Sequence, residues 1–543
     1  MTVGRIVAIA TLCAAAYALA DGGLGPIRFE DATAAAGIHF THSFGAEKLG
    51  SLLESTGAGC AWFDYNNDGK PDLFVASGRP LGKEMHPYPL RKTPDPFPTN
   101  HLYRNDGNGR FTDVTSQAGV AGDSFSFSAV AADFDNDGYT DLLVTSYGRV
   151  TLYHNRGDGT FEDVTQKAGL DVKGWAIDAA WLDYDRDGCV DLFIGRYVKF
   201  DPKYRSYYAA DNYPGPLDYE AETNLLYHNT CKGSFVDVSE KSGIAAYKGR
   251  AMGVTAGDFD GDGYPDIYIA NDKTENFLFH NKHDGTFEEI ATEAGAAFGQ
   301  NGESTSAMGP VFFDPENRGA ADLWVSDSHY NRLLRNTGKR QFDDVTQQAG
   351  ISQLTAQYTS WGTGAYDFDN DGWLDILIFH GGLIHLIPQE HSLFRNLGNG
   401  KFEDVSGSGG AFFQTKTVGR GACFADYDTD GKVDAFLVNL GAPGQLLHNI
   451  TERAGHWLDV RLIGTKSNRD GIGAVVEMTV GGLKRRAERV AGSGYLGQDD
   501  WRLHFGLGAS ARAETITVNW PSGVRQTMEN VAADQVVTIR EKP

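Results

Sequence analysis

A nine-residue acidic phrase that returns at a long interval constrains this chain most. It reads DYNNDGKPD at Asp64, DFDNDGYTD at Asp133, DYDRDGCVD at Asp183, DFDGDGYPD at Asp258, DFDNDGWLD at Asp367 and DYDTDGKVD at Asp426. A damaged copy, DPENRGAAD, stands at Asp314, so seven copies lie 50 to 75 residues apart. A second phrase follows the first six, as in LYRNDGNGRFTDVTSQAGV from Leu102, LYHNRGDGTFEDVTQKAGL from Leu152 and LYHNTCKGSFVDVSEKSGI from Leu226. Self-similarity at this period marks a repeat architecture. Each unit contains four short apolar runs: strand A leads into the acids, B leaves them, C is the Leu-Tyr-His-Asn type and D the Phe-Glu-Asp-Val type. Gly and Asn punctuate the hairpins. Four strands per unit predict a β-propeller blade, and hence an all-β, seven-bladed propeller.

The seventh unit has its acids and LLHN at Leu446, but the Phe-x-Asp-Val-Thr phrase is missing after it. That phrase stands near the start instead, as IRFEDATAAAGI from Ile27. The N-terminal segment is therefore expected to supply the last blade's fourth strand and leave no open sheet edge. The alternative is WLDV at Trp457. The expected organisation is a leader over 1–20, a propeller over 21–453 and a small β-sandwich-like domain over 454–543. That domain's apolar alternation gives about six strands, among them WLDVRLI, AVVEMTV and TITVNW.

The leader, MTVGRIVAIATLCAAAYALA, has one Arg, an apolar run too short to span a bilayer comfortably, and small residues before Asp21. It predicts export, so the chain is expected to be secreted, extracellular or periplasmic, without a membrane span and as a monomer. With 72 acidic against 48 basic residues, the formal charge is −24. That excludes nucleic acid, whose phosphates need a basic face, and suits a protein that binds cations.

In the acidic phrase, positions 1, 3, 5 and 9 carry oxygen side chains and position 6 is Gly, which permits the sharp turn. Like charges this close need a hard cation with six or seven oxygen ligands, and Ca²⁺ fits best. The start resembles an EF-hand loop, but the last acid falls at position 9 and the flanks are strand-like. The expected ligands are Asp64, Asn66, Asp68 and Asp72; Asp133, Asp135, Asp137 and Asp141; Asp183, Asp185, Asp187 and Asp191; Asp258, Asp260, Asp262 and Asp266; Asp367, Asp369, Asp371 and Asp375; and Asp426, Asp428, Asp430 and Asp434. About six structural Ca²⁺ ions follow. In the fifth loop Arg318 stands where the cation needs an acid, and its guanidinium is expected to pair with Asp314 and Asp322 in place of metal.

These phrases before an apolar strand resemble the FG-GAP/VCBS repeat of integrin α-subunit propellers. GHWLDVRLIG, RDGIGAVVEM, SGYLGQ, HFGLG and WPSGVRQTMENV resemble the ASPIC/UnbV domain. Together they resemble the cartilage acidic protein family, which implies an extracellular, calcium-binding seven-bladed propeller with a small β domain and no settled molecular activity.

Four further features bear on function. Export permits oxidation, and the strand order brings Cys189, at the start of strand B, beside Cys231, at the end of strand C, so a disulfide is expected there. Cys60 and Cys423 sit on strands A at offsets from the acids that differ by one, and are expected to point to opposite faces as separate core residues. Arg485, Arg486 and Arg489 form either a docking patch for an acidic partner, the propeller included, or a solvated strand face. His380, His385 and His391 with Glu390 lack the spacing of a helical zinc site, and neither this cluster nor any nucleophile with its base predicts an enzyme. The expected function is a surface binding or adhesion module whose partner is a protein or a glycan; the alternative is a glycan-binding lectin or a polysaccharide-acting enzyme. Long insertions fall on the rim opposite the acids. Tyr207 and Tyr208, in the insertion from Val198, are the expected ligand anchors, since Tyr offers contact area at small entropy cost.

Overall fold

The computed structural model describes residues 24–44, 48–79, 99–204, 213–383 and 385–543. The leader and the Tyr207–Tyr208 pair lie outside these residues. Among the described residues, seven sheets share one antiparallel topology, A-B-C-D from the inside out, and the first adds Gly497–Gln498 as a parallel fifth strand at its inner edge. In the second they are Ser126–Ala132, Asp141–Ser146, Arg149–Asn155 and Phe161–Asp163. Consecutive A strands touch in a closed ring, with the seventh beside the first. Burial explains the sequence of each strand. Strand A is buried on both faces, so it is written in small and apolar residues, as in Ala251–Gly257. Strand D is half exposed and alternates, with Phe161 buried and Glu162 and Asp163 exposed.

The seventh sheet takes its outer strand from the other end of the chain. Phe29–Asp31 runs antiparallel to Gln445–Asn449, with Phe29 opposite Asn449 and Asp31 opposite Leu447. Trp457 lies instead in His456–Ile463, which pairs with Leu503–Gly508 and Gln535–Arg540. A second sheet, of Leu483–Glu488, Val475–Val480, Arg512–Asn519 and Arg525–Ala532, packs on this one around Leu458, Val476, Met478, Phe505 and Ile516. These two sheets form the small C-terminal domain.

Neighbouring blades are tied by the Asn that ends each strand C. Its backbone N–H donates to the position 9 carboxylate of its own blade, at 2.7 Å for Asn155 to Asp141 and 2.8 Å for Asn229 to Asp191. Its side-chain Nδ2 donates to the position 2 carbonyl of the preceding blade. Asn155 reaches Tyr65, Asn229 reaches Phe134, Asn281 reaches Tyr184, Asn336 reaches Phe259, Asn396 reaches Pro315, Asn449 reaches Phe368 and Asn105 reaches Tyr427, all at 2.7 to 2.9 Å. The seven bonds close a ring and include the fifth blade, whose acidic loop is damaged.

Cys189 is bridged to Cys231 with Cα atoms 5.7 Å apart. Cys60 and Cys423 correct the expectation of separate core residues: they form a second disulfide, with Cα atoms 5.8 Å apart. Alternation sets the face within one sheet, but these residues stand on two sheets packed face to face. The face of the last blade that meets the first is the opposite of the face that the first blade turns to the last. The one-residue offset therefore aims the two sulfurs at each other.

Two outcomes are expected. Asn336→Ala removes the donor to two buried carbonyls, Phe259 and Ala321, and should cost about 2–3 kcal/mol, read as a lower denaturant midpoint whether or not calcium is present; an unchanged midpoint refutes the tie. Peptide mapping without reductant should recover Cys60 linked to Cys423 and Cys189 linked to Cys231, and free thiols at either pair reject that bridge.

Candidate metal centres

Each acidic loop is built around its first Asp. Asp133 Oδ1 accepts the N–H of Asp137 at 3.0 Å, and Oδ2 that of Gly138 at 2.7 Å. The same pair of bonds recurs at Asp64, Asp258, Asp367 and Asp426. Position 4 takes a left-handed backbone, as at Asn67, Asn136 and Asn370, a conformation Asn tolerates better than most residues. Its side chain then bridges to the next loop: Asn67 Nδ2 donates to Gly138 O at 2.8 Å and Asn370 Nδ2 to Gly431 O at 2.8 Å.

Positions 1 and 9 are buried in all six intact loops. Positions 3 and 5 lie nearer the surface, except at Asp369, which is fully buried. The donor set suits a hard cation: side-chain oxygens converge on one turn, and Asp183 Oδ1 and Asp266 Oδ2 are buried without a hydrogen-bond partner. In the damaged loop, Arg318 Nη2 lies 2.5 Å from Asp322 and Nε lies 2.8 Å from Glu316. Asp314 accepts the Arg318 backbone N–H instead, so the guanidinium partner beside Asp322 is Glu316 rather than Asp314.

A basic side chain on strand C joins six of the seven clusters, and the sequence reading missed it. His154 Nδ1 lies 3.1 Å from Asp141 and 3.6 Å from Asp135, and His228, His280 and His448 repeat the arrangement. Arg335 and Arg395 take its place beside the fifth and sixth loops, whereas Arg104 turns to Asp106. The signal was present: the third place of the Leu-x-His/Arg-Asn phrase is basic in all seven units. Burial pushes the position 9 carboxyls up, to about 7 for Asp141, about 8 for Asp191 and about 7 for Asp434. The hydrogen bond to that carboxylate in turn raises His154 and His448 to about 9.

The C-terminal domain covers this rim, and its basic strand faces the acids. Arg486 Nη2 donates to Asp258 O at 3.0 Å, while Glu488 accepts the Asp258 N–H at 2.9 Å. Asp470 accepts the Asp133 N–H at 2.8 Å, and Arg502 donates to Asp426 O at 2.6 Å. Arg485 and Arg489 are buried. Of the two readings of this basic patch, the structure shows docking on the propeller itself.

The segment Ala491–Gln498 goes further and enters the ring's axis. Ala491 bridges to Trp181, Gly494 N–H donates to Pro310 O, and Gly497–Gln498 pairs in parallel with Cys60–Ala61. Tyr495 is fully buried, packs at a tilt against Trp361 with ring centroids 4.9 Å apart and donates to Thr56 O at 2.9 Å. Room for this finger comes from small residues five places before each first acid: Gly59, Ser128, Asp178, Gly253, Gly309, Gly362 and Gly421. At Gly59 a side chain would overlap the Leu496 carbonyl. The other end of the axis is closed by Leu52 and Leu53 and by Arg420, which is fully buried, donates to three carbonyls and lies 4.0 Å from the Trp361 ring. SGYLGQ is thus an axial plug.

The His loop holds buried rings that hydroxyls satisfy. His380 bonds Ser360 and Ser392, and His391 bonds Thr417 at 2.9 Å.

Comparison with known proteins agrees with this architecture. The FG-GAP-like repeat matches residues 64–144, 133–194, 215–269, 258–325 and 314–378, and the ASPIC and UnbV domain matches 464–543. Cartilage acidic protein 1 of Homo sapiens is 27% identical over 322 residues, 56% of this chain and 46% of that protein. The Xenopus tropicalis protein of the same name is 27% identical over 344 residues, 59% of this chain and 49% of that protein. The chain thus spans about half the length of the curated relatives it matches. Among solved structures, an Agrocybe aegerita lectin that recognises non-reducing terminal N-acetylglucosamine aligns with TM-score 0.41 and 16% identity, over 71% of this chain and 86% of the lectin. YCF48 bound to D1 peptide aligns with TM-score 0.41 and 9% identity, over 76% of this chain and all of that one. The chain belongs to the FG-GAP-like repeat family, is a relative of cartilage acidic protein 1, and carries an ASPIC and UnbV domain over residues 464–543.

Proposed function

We propose that the chain is a secreted, calcium-stabilised propeller that acts outside the cell as a binding or adhesion module. One observation carries this reading: the acidic rim is spent on internal structure. Its loops carry the oxygen donors of a hard-cation site, and the C-terminal domain lies over them. The six intact loops would each hold one Ca²⁺ through their Asp side chains, with Asn66 taking one place in the first. The ions would supply charge neutralisation and rigidity rather than chemistry. The relatives' name, cartilage acidic protein, fits an acidic chain of net charge −24 that works in an extracellular matrix. No helix among the described residues is long and apolar enough to cross a membrane. The buried, hydroxyl-bonded histidines His380 and His391 favour binding over catalysis.

The ligand face is then the rim opposite the acids, where the long insertions lie. The same insertion also packs Phe200 and Tyr204 against the Tyr219 ring, with centroids 5.4 and 5.7 Å away in tilted and edge-on contacts. Such an aromatic platform serves protein and sugar surfaces alike.

Metal analysis of the purified protein should find about six Ca²⁺ per chain, one for each loop with enough oxygen ligands, and stripping them should lower the melting temperature strongly. A metal-free protein with an unchanged melt defeats the calcium reading. The stripped protein should also respond to pH in a defined direction. Folding raises the carboxyls of Asp141, Asp191 and Asp434 from 3.8 to about 7 or 8. Their contribution is fully present below about pH 4 and is lost as pH rises through 7 to 8. Stripped protein should therefore melt higher at pH 5 than at pH 8, with the calcium-bound protein showing a much smaller difference; the reverse order contradicts the burial of these acids.

Binding to immobilised glycans and matrix proteins tests the face. Tyr207→Ala/Tyr208→Ala should abolish it, and Tyr139→Ala/Tyr264→Ala, a matched pair on the acidic rim, should leave it intact. The opposite result in folded, calcium-bound protein places the ligand on the wrong side of this proposal.

A further inference from the structure

The six intact loops differ in their access to solvent. Asp367, Asp369 and Asp375 are 1%, 0% and 0% exposed. At the equivalent third position, the side chains of Asp135, Asp185 and Asp428 are 27%, 31% and 23% exposed, and that of Asp260 is 9% exposed beside an Asp262 side chain at 22%. The cover over the Asp367 loop is the C-terminal domain. Gly455 N–H donates to Asp369 O at 2.8 Å and Gly508 N–H to Asn370 O at 2.7 Å. His504 Nε2 lies 2.7 Å from Asn370 Oδ1, and its Nδ1 is held by Asp459 at 2.8 Å. Gly506 lies so close that a β-carbon there would overlap the Asp367 carboxylate. The HFGLG phrase therefore closes over this loop with its two glycines and its histidine.

Charge shows what the closed loop lacks. Four Asp carboxylates face two guanidiniums. Arg395 pairs with Asp369 at 2.9 Å and with Asp371 at 3.1 Å, and the buried Arg485 lies against Gly372 near Asp367 and Asp371. Two negative charges remain, and of the four acids only Asp371 reaches solvent, with 14% of its side chain exposed. The damaged fifth loop differs: Asp314, Glu316 and Asp322 face Arg318 and Arg335, with Arg486 close to Asp314. Three acids meet two guanidiniums in direct contact there, since Arg486 is paired with Glu488, and one negative charge remains where the Asp367 loop keeps two. Buried charge must be paired, so the Asp367 loop calls for one divalent cation.

We propose that the Asp367 loop holds an occluded divalent cation, sealed in by the C-terminal domain, while the other five loops exchange their ions with solvent. This deepens the calcium reading above and rests on it. The ion's release then requires the domain to lift, which also means withdrawing the Ala491–Gln498 finger. The domain thereby acts as a lock on one metal site, and that site as a latch on the domain.

The test is metal retention by the full chain. Calcium-bound protein is dialysed against excess chelator at neutral pH without denaturant, and calcium is counted per chain over time. About five ions should leave quickly and one should remain, released only on unfolding. In Gly506→Ala, whose new methyl meets Asp367, the slow ion should leave with the rest. Should that variant fail to fold, His504→Ala removes one seal without adding bulk and should speed loss of the slow ion at least tenfold. Asp183→Asn should leave the slow ion in place. Six ions lost at one rate overturn the proposal and leave the calcium reading intact, and a slow ion that persists in the Gly506 and His504 variants overturns it too. Protein that never binds calcium defeats both.

Discussion

The structure depends on a buried contact between the position 9 Asp of each acidic loop and the Asn that ends strand C. One carboxylate oxygen takes the Asn backbone N–H, and the Asn side chain reaches across to the preceding blade. All seven units make it, the one with the damaged loop included. The contact therefore does not wait for metal. It joins strand B to strand C within a blade and each blade to its neighbour, and it fixes the hairpin ends from which the remaining acids project. The acidic turns are an addition to a girdle that already exists, which is how the fifth loop can carry Arg318 in place of an acid and remain in the ring.

On this girdle rests a domain whose surface is complementary in charge and in shape. Its arginines reach loop carbonyls, and its own acids, Asp470 and Glu488, take the N–H groups of Asp133 and Asp258. The finger then completes the inner strands' hydrogen bonding at the axis. Buried arginines of this kind are stable only with several partners each, and Arg420 has three carbonyls and an indole face. Propeller and C-terminal domain therefore share one polar network along the axis.

Much of this was legible in the sequence because repetition turns a weak local signal into a strong one. Seven copies of an acidic turn and a fixed order of four apolar runs gave the sheets. What escaped was whatever depended on relations between sheets. Cys60 and Cys423 were judged by alternation, a rule for one sheet, when the relevant geometry was two sheets face to face. The strand C cation was visible as a column of His and Arg, but its role appears only once the hairpin folds it back over the loop. SGYLGQ carries no local mark of its destination, since small residues suit a turn and a narrow axis equally well. The Arg485–Arg489 strand left two readings open because charge alone does not name the surface it meets.

The closure of the last blade by the N-terminal strand can be considered under load. Phe29 pairs with Asn449, and the chain leaves both residues at the same end of the strand pair. A pull between the N-terminal segment and the C-terminal domain therefore opens the pair like a zipper, one rung at a time, the geometry in which strands resist force least. Three rungs alone make a weak fastening. The Cys60–Cys423 bridge lies nearer the axis, between the inner strands of the last and first blades, and is covalent. It acts as a crack stop: the outer strand can peel while the ring stays whole, so a tethered module under tension fails at its margin before it fails at its axis.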